Sequence, residues 1–155
     1  MFEGTHTALV TPFLQDHLDE AAFVQLIEAQ ISGGINGIVP VGTTGESPTL
    51  NNEEHHRVIE LAVKTAKGRC KVIAGTGSNS TNEAISLTCE AERIGADAAL
   101  IVAPYYNKPT QAGLFAHYSA IAQATKLPIM LYSIPGRCGI EIGVETVVAL
   151  AHKHP

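Results

Sequence analysis

The sequence predicts an α/β fold of the (βα) TIM-barrel type, incomplete at about five of the eight βα units that close such a barrel. Two observations limit the fold to this class or to an open parallel sheet, and the loop sequences described below decide for the barrel. Five short apolar runs alternate with amphipathic helical stretches, which predicts a parallel sheet. The chain has 155 residues, whereas a closed barrel typically needs about 250. We therefore predict a single domain, residues 1–155, that forms the N-terminal portion of a (βα)8 barrel.

The predicted strands are the five apolar runs. Each is short and bounded by Gly, Pro or Thr, which favours buried parallel strands over helices. They lie at 7–10, 37–41, 72–74, 98–102 and 128–132. Periodicity alone slightly favours an open, doubly wound sheet, and the loops described below favour the barrel instead.

The predicted helices occupy the intervening segments. In the first helix, apolar residues share one face at spacings i, i+3, i+4 and i+8; they are Phe23, Leu26, Ile27 and Ile31. The same pattern recurs at 58–65 and 84–94, a fourth helix is expected from 111 to 125, and a fifth begins near Val144.

Capping residues support these boundaries. Asn51 with Glu54, and Ser80 with Glu83, fit the arrangement in which a cap and the third helical residue bond to each other's backbone. Glycines at 33–34 and 68 end the first two helices.

Composition and charge exclude several classes of protein. Hydrophobic residues make up 45% of the chain and charged residues 16%, and the net charge is -5 without any basic run. We therefore expect no nucleic-acid or anionic-membrane surface. No apolar stretch approaches the roughly 18 residues that span a bilayer, and the start lacks a secretory signal pattern. A cytoplasmic location is expected.

Cysteine and histidine spacing predicts neither a disulfide framework nor a metal site. The three cysteines are scattered without a CxxC pair, and the histidines show no HExxH-type spacing. We expect no metal and no cofactor.

Polar residues and glycines are concentrated after the predicted strands, at 42–47, 75–80, 104–110 and 133–139. In parallel βα architectures the active site lies beyond the carboxyl ends of the strands. Thr43 and Thr44 can offer hydroxyl and backbone N–H groups to a carboxylate. Tyr132 can carry a proton and Arg137 can bind a carboxylate through two donors. Taken singly, these residues also fit turn and cap chemistry, a core aromatic and a solvated cation.

Gly75-x-Gly77 stands between a strand and a helix, as in part of a dinucleotide-binding turn. Ser80 occupies the place of the third glycine, and the motif follows the third strand instead of the first. An open nucleotide-binding sheet therefore remains an alternative with little support.

The loop sequences together resemble the dihydrodipicolinate synthase and N-acetylneuraminate lyase family of pyruvate-dependent class I aldolases. The resemblance runs along the whole chain in five motifs. They are TALVTPF at 7–13, GTTGES at 42–47, AGTGSNST at 74–81, APYYNKPTQ at 103–111 and LYSIPGRCG at 131–139. The order and spacing of these motifs are specific to the family.

The resemblance implies a lyase that condenses pyruvate with aspartate semialdehyde through a Schiff base, giving 4-hydroxy-tetrahydrodipicolinate in lysine and diaminopimelate biosynthesis. It implies that Thr43 and Thr44 bind the pyruvate carboxylate. Arg137 would hold the semialdehyde and favours the synthase branch over the lyase branch. Thr44, Tyr132 and Tyr106 would form a proton relay. In the family Tyr106 reaches into a neighbouring subunit, which implies a homo-oligomer, either a dimer or a dimer of dimers.

The family is often inhibited by lysine at a subunit interface. The positions that match this effector site are Ser47, His55, Asn79, Glu83 and Tyr105. Helix capping and ordinary surface chemistry explain the same residues equally well.

The resemblance places the Schiff-base lysine on a sixth strand, shortly after a His-Pro pair like His154-Pro155. None of the six lysines of this chain occupies that position, so we expect turnover by these 155 residues to be low or absent. Five units also leave the outer strands unpaired, and we expect self-association to complete or cover the barrel. A catalytically inactive, self-associating half-barrel with an interaction or regulatory role is therefore the main alternative.

Overall fold

A five-stranded parallel sheet forms the centre of the fold in a computed structural model, which describes residues 2–155. Its strands are β1 (His6–Ala8), β4 (Gly37–Val39), β5 (Lys71–Gly75), β6 (Ala98–Val102) and β7 (Ile129–Tyr132). A short antiparallel hairpin joins β2 (Phe13–Leu14) to β3 (His17–Leu18).

One α-helix follows each of the first four strands of the sheet along the chain, and two follow the last. They are α1 (Glu20–Ser32), α2 (Asn52–Ala66), α3 (Thr81–Ile94), α4 (Gln111–Ala124), α5 (Pro135–Cys138) and α6 (Val144–Lys153). The five predicted strands and five predicted helices are confirmed, with ends that differ by a few residues.

Strand order distinguishes the two architectures that the sequence leaves open. The order is β1-β4-β5-β6-β7, and every neighbouring pair is parallel. Each strand therefore lies beside the next sheet strand along the chain, as in a (βα) barrel. A doubly wound sheet reverses its strand order at a switch point, and this sheet has no reversal. The barrel-type prediction is confirmed, and the strand order does not support the alternative of an open, doubly wound sheet.

The apolar core lies between the sheet and its helices, in two clusters. One joins α1 and α2 to β4 and includes Phe23, Ile27, Ile38 and Val58. The other joins α4 to β6 and contains Leu114, Tyr118, Ile121 and Ile101. Burial of these side chains is what holds the helices on the sheet.

Two predicted helix caps have different outcomes. At α2, Asn51 and Glu54 form the full reciprocal capping box. At α3, Ser80 accepts the backbone N–H of Glu83, at 3.4 Å, but the Glu83 carboxylate does not return to the cap. It accepts a hydrogen bond from the Ser78 hydroxyl instead. The prediction of a reciprocal box at Ser80 is therefore wrong, because a closer local donor takes the carboxylate.

Several local elements lie outside the sequence-based prediction. The hairpin 13–18 begins at Phe13, the last residue of the TALVTPF motif. Two 3-10 turns, Thr43–Gly45 and Ser47–Thr49, make up most of the GTTGES loop. The four-residue α5 carries Arg137. Each is too short to give a periodic apolar signal.

Candidate active site

A cavity of about 400 Å³ opens at the carboxyl ends of the sheet strands. Loops after β4, β5, β6 and β7 all contribute to its wall. The lining residues are Val41, Gly42, Thr43, Ser47, Pro48, Gly75, Gly77, Leu100, Val102, Tyr105, Tyr132, Ile134 and Arg137. The cavity therefore lies where parallel βα folds place their active sites.

The GTTGES loop is held in position by the TALVTPF segment. The buried Thr11 hydroxyl donates a 2.7 Å hydrogen bond to the carbonyl oxygen of Gly45. A Cβ at position 45 would lie 3.0 Å from the carbonyl oxygen of Leu9. Glycine at this position therefore lets the turn that carries Thr43 lie directly against the chain after β1.

Close backbone packing explains the two glycines at the end of β5 and just after it, Gly75 and Gly77. A Cβ on Gly75 would lie 2.2 Å from the carbonyl oxygen of Val41, and one on Gly77 would lie 2.4 Å from the backbone nitrogen of Val102. No side chain fits at either position. Packing between neighbouring strands thus accounts for the Gly75-x-Gly77 pattern without a phosphate ligand.

Val41 stores backbone strain at the cavity wall. Its φ is +48°, in a region that β-branched residues rarely adopt. Such a conformation costs on the order of 1–3 kcal/mol and persists only where surrounding packing enforces it. The close contact between Val41 and Gly75 supplies that packing.

Three of the predicted substrate-site residues come together in this cavity. Thr43, Tyr132 and Arg137 all line it. Thr44 and Tyr106 do not. Tyr106 is 89% exposed with a φ of +72°, so its side chain projects into solvent.

A smaller cavity of about 90 Å³ lies beside the first. Of the predicted effector residues, Ser47, His55, Glu83 and Tyr105 line it, and Asn79 does not. The Asn79 backbone carbonyl instead accepts a 3.1 Å hydrogen bond from the Asn107 side chain. Ser47 and Tyr105 line both cavities, so the two spaces share a wall.

His55 is one of two buried polar residues that line the smaller cavity, the other being Ser78. Its ring is 3% exposed, and Nε2 lies 2.9 Å from the carbonyl oxygen of Gly75. Because a carbonyl only accepts, Nε2 carries the proton and Nδ1 is the acceptor. Nδ1 has no hydrogen-bond partner among residues 2–155. Burial lowers the pKa of His55 to about 4, so the ring is neutral at neutral pH.

Ser78 is a lining residue that sequence reasoning missed. Its hydroxyl donates to the Glu83 carboxylate and accepts from the backbone N–H of Ser80. This fixes the carboxylate at the wall of the smaller cavity. Two serines just before a glutamate at a helix start were the available signal, and only one of them was read as a partner.

Metal-binding side chains do not cluster in the part of the chain that the structure describes. No group of three or more His, Cys, Asp or Glu residues is arranged to hold an ion within residues 2–155. Over the same range, no helix is long and apolar enough to cross a membrane. Cys70, Cys89 and Cys138 are free thiols.

Comparison with known proteins identifies the family. The sequence matches the dihydrodipicolinate synthetase family over residues 1–155. The chain belongs to this family. It is 56% identical over 151 residues to the 4-hydroxy-tetrahydrodipicolinate synthase of Magnetococcus marinus, covering 97% of this chain and 52% of that protein.

Solved structures of the family share the fold. The 4-hydroxy-tetrahydrodipicolinate synthase of Methylacidiphilum fumariolicum SolV matches with a TM-score of 0.98 at 55% identity, covering 99% of this chain and 51% of that one. The synthase from Cyanidioschyzon merolae, solved with lysine bound, matches with a TM-score of 0.96 at 45% identity, covering 99% and 53%. The chain spans about half the length of the family members it matches.

Proposed function

We propose that this chain supplies the substrate-binding part of a site that condenses pyruvate with aspartate semialdehyde through a Schiff base, giving 4-hydroxy-tetrahydrodipicolinate. The observation that carries the proposal is the meeting of Thr43, Tyr132 and Arg137 on one cavity at the carboxyl ends of the strands. Family members more than 50% identical to the chain are named for this reaction. The product belongs to lysine and diaminopimelate biosynthesis, and we assign the protein to the cytoplasm.

Each residue has a role that its chemistry suits. Thr43 lines the cavity and binds the pyruvate carboxylate through its hydroxyl, and the backbone N–H of Thr44, the next residue of the same turn, adds a second donor. The planar guanidinium of Arg137 holds the semialdehyde carboxylate through two donors. Tyr132 exchanges protons with the reacting oxygens, in a relay with Tyr106 of a second copy. The Thr44 side chain does not line the cavity, so this relay does not include it. The exposure of Tyr106 leaves its hydroxyl available to a neighbouring subunit.

The Schiff base requires an amine that this chain does not place at the cavity. None of the cavity-lining side chains contributed by residues 2–155 is a lysine. A catalytic lysine needs apolar surroundings that lower its pKa, and the exposed Lys108 lacks them. We therefore expect that these 155 residues bind the substrates without turning them over.

Borohydride trapping tests the missing amine. The purified chain is incubated with pyruvate and reduced with borohydride, and its intact mass is measured by mass spectrometry. The full-length Magnetococcus marinus synthase is the positive control. We expect no adduct on the chain and one on the control. A stoichiometric adduct on the chain would show that one of its own lysines takes the Schiff-base role, and peptide mapping would locate it.

Ligand titration tests the substrate assignment. The isotope-labelled chain is titrated with pyruvate and with aspartate semialdehyde, and shifts are followed by NMR. We expect Arg137→Ala to weaken binding of the semialdehyde while pyruvate binding persists. Arg93→Ala, at an exposed arginine of α3, is the matched control. Equal binding of the semialdehyde by Arg137→Ala and the unmodified chain would refute the assignment.

A self-associating half-barrel without turnover is the second candidate. The outer strands β1 and β7 have no neighbour on one side among the described residues. Exposed apolar side chains lie on β7 and beside it: Met130 of the strand is 37% exposed, and Val147, 40% exposed, lines a pocket together with β7 residues. Edges and faces of this kind promote pairing with another chain. Light scattering tests the association. A monomer at micromolar concentration would exclude the second candidate, and it would also exclude Tyr106 of a second copy from the relay proposed above.

We also propose that the smaller cavity is a lysine effector site. The Glu83 carboxylate supplies a counter-charge for an ammonium group, and the free Nδ1 of His55 supplies an acceptor. The shared wall of Ser47 and Tyr105 offers a route by which its occupation alters the substrate cavity. The Cyanidioschyzon merolae relative binds lysine.

Calorimetry with matched ligands tests the effector proposal. Lysine is titrated into the chain, with norleucine, which lacks the side-chain ammonium, as the control ligand. We expect saturable binding of lysine that is weakened by Glu83→Gln and is absent for norleucine. Binding of lysine that survives Glu83→Gln and His55→Gln together would place the site elsewhere.

A further inference from the structure

The guanidinium of Arg137 has no protein partner that would hold it in place. Within residues 2–155 its side chain makes no hydrogen bond or ion pair, whereas Arg57, Arg69 and Arg93 are each paired with a carboxylate. Its backbone lies in α5, a helix of four residues. The position of this cation at the cavity therefore depends on how the whole segment 133–143 is held.

The segment is closed by a hydrogen bond between its own ends. The Ser133 hydroxyl, directly after β7, accepts the backbone N–H of Ile142 at 3.1 Å. Ile142 is itself buried. The segment therefore forms a closed loop whose base is this contact and whose tip carries Arg137.

Gln111 attaches this loop to the first turn of α4. Its amide nitrogen donates to the carbonyl oxygen of Glu141 at 2.8 Å. Its amide oxygen accepts from the backbone N–H of Gly143 at 2.9 Å and from the Thr146 hydroxyl at 2.7 Å. The amide nitrogen and the amide oxygen of Gln111 are thus both hydrogen-bonded to the loop. A glutamate carboxylate could not donate to the Glu141 carbonyl, so the contacts require an amide side chain.

Lys108, three residues before Gln111, also contacts the loop that carries Arg137. Its Cε lies 3.0 Å from where a Cβ on Gly139 would stand, and Gly139 has a φ of +69°. The loop after β6 thus packs on the residue that ends α5, and Gln111 follows the same loop. The loops after β6 and after β7, which both line the cavity, therefore contact each other two residues from Arg137.

We infer that Gln111 and Ser133 are positioning residues that hold Arg137 for the second carboxylate of the reaction. This inference rests on the proposed function, because it assumes that Arg137 binds the carboxylate of the aldehyde substrate. Binding of the aldehyde's carboxylate, but not of pyruvate, would then depend on two residues that do not line the substrate cavity.

The test compares a dicarboxylate with a monocarboxylate. Pyridine-2,6-dicarboxylate, a planar ring with two carboxylates, and pyruvate are each titrated into the isotope-labelled chain by NMR. Gln111→Leu is expected to raise the Kd for the dicarboxylate about tenfold, which corresponds to about 1.4 kcal/mol, and to leave that for pyruvate unchanged. Ser133→Ala is expected to act in the same direction, and Ser133→Thr, which keeps the hydroxyl, to restore binding.

Controls separate positioning from loss of structure. Gln123→Leu, at an exposed glutamine of the same helix α4, should leave both affinities unchanged. In an Arg137→Ala background, Gln111→Leu should have no further effect, because the group that it positions is gone. Thermal unfolding of each variant reports whether the fold persists.

The outcomes distinguish the inference from the function on which it rests. If Arg137→Ala weakens dicarboxylate binding and Gln111→Leu does not, the positioning role is refuted and the proposed function stands. If Gln111→Leu weakens both ligands equally, the residue is structural only and the inference is again refuted. If Arg137→Ala has no effect on the dicarboxylate, both are refuted.

Discussion

His55 makes the stability of this fold sensitive to acid. The ring is 3% exposed, and burial lowers its pKa from 6.5 to about 4. The hydrogen bond to the Gly75 carbonyl and the charge of Glu83 oppose this shift, and His56 adds to it. The folded chain therefore keeps the ring neutral well below the pH at which an unfolded chain would protonate it.

The size of the effect follows from the two pKa values. In the unfolded chain an ordinary histidine has a pKa of about 6.5. Because the folded pKa is lower, the stabilisation is fully present above pH 6.5 and is lost as the pH falls toward 4. One pKa unit corresponds to about 1.4 kcal/mol. The full loss is then about 3 kcal/mol, and the part lost by pH 5 is about 2 kcal/mol.

Urea unfolding at two pH values measures this loss. The free energy of unfolding is determined by circular dichroism at pH 7.5 and pH 5 for the chain and for His55→Gln, which does not titrate. We expect the decrease between the two pH values to be about 2 kcal/mol larger for the unmodified chain. Burial also lowers the pKa of His117, but both proteins share that contribution, so the difference isolates His55.

A matched variant and a clear contrary result complete the experiment. His17→Gln, at an exposed histidine of the hairpin, should keep the acid sensitivity of the unmodified chain. If His55→Gln loses as much stability between pH 7.5 and pH 5 as the unmodified chain, the buried neutral ring is not the cause, and the reasoning from burial fails.

Two further changes test packing and association. Gly75→Ala should lower the free energy of unfolding by roughly 2 kcal/mol or more, because its methyl would lie 2.2 Å from the Val41 carbonyl oxygen. Gly136→Ala, with open space around it, should leave the free energy of unfolding nearly unchanged. Equal melting temperatures of the two variants would contradict this prediction. Met130→Lys, on the outer strand β7, should shift the chain toward monomer in light scattering. Gln25→Lys, on α1, is the control and should leave the association unchanged. An oligomer that persists in Met130→Lys would mean that the copies do not associate through β7.

The order of elements could be predicted from the sequence because it depends on local patterns. Apolar runs and helical spacing specified five βα units, and the cap of α2 formed as the Asn51 and Glu54 pair indicated. The hairpin at 13–18 and the short α5 were missed, because two to four residues carry no periodic signal. Apolar periodicity did not distinguish barrel from open sheet, because strand order is a long-range property that it does not encode. The loop sequences favoured the barrel, and the strand order confirmed it.

The site divides in the same way between sequence and tertiary structure. The sequence by itself placed Thr43 and Arg137 after strands and Tyr132 at the end of one. Parallel strands bring their ends to one edge, so the meeting of these residues follows from the fold class. Only the tertiary structure shows that Thr44 and Tyr106 do not line the cavity and that the Glu83 carboxylate accepts a hydrogen bond from Ser78. Only it showed Gln111 bonded across about 30 residues to the loop that carries Arg137. Local patterns determine where a side chain stands along its element, whereas such contacts depend on how distant segments pack.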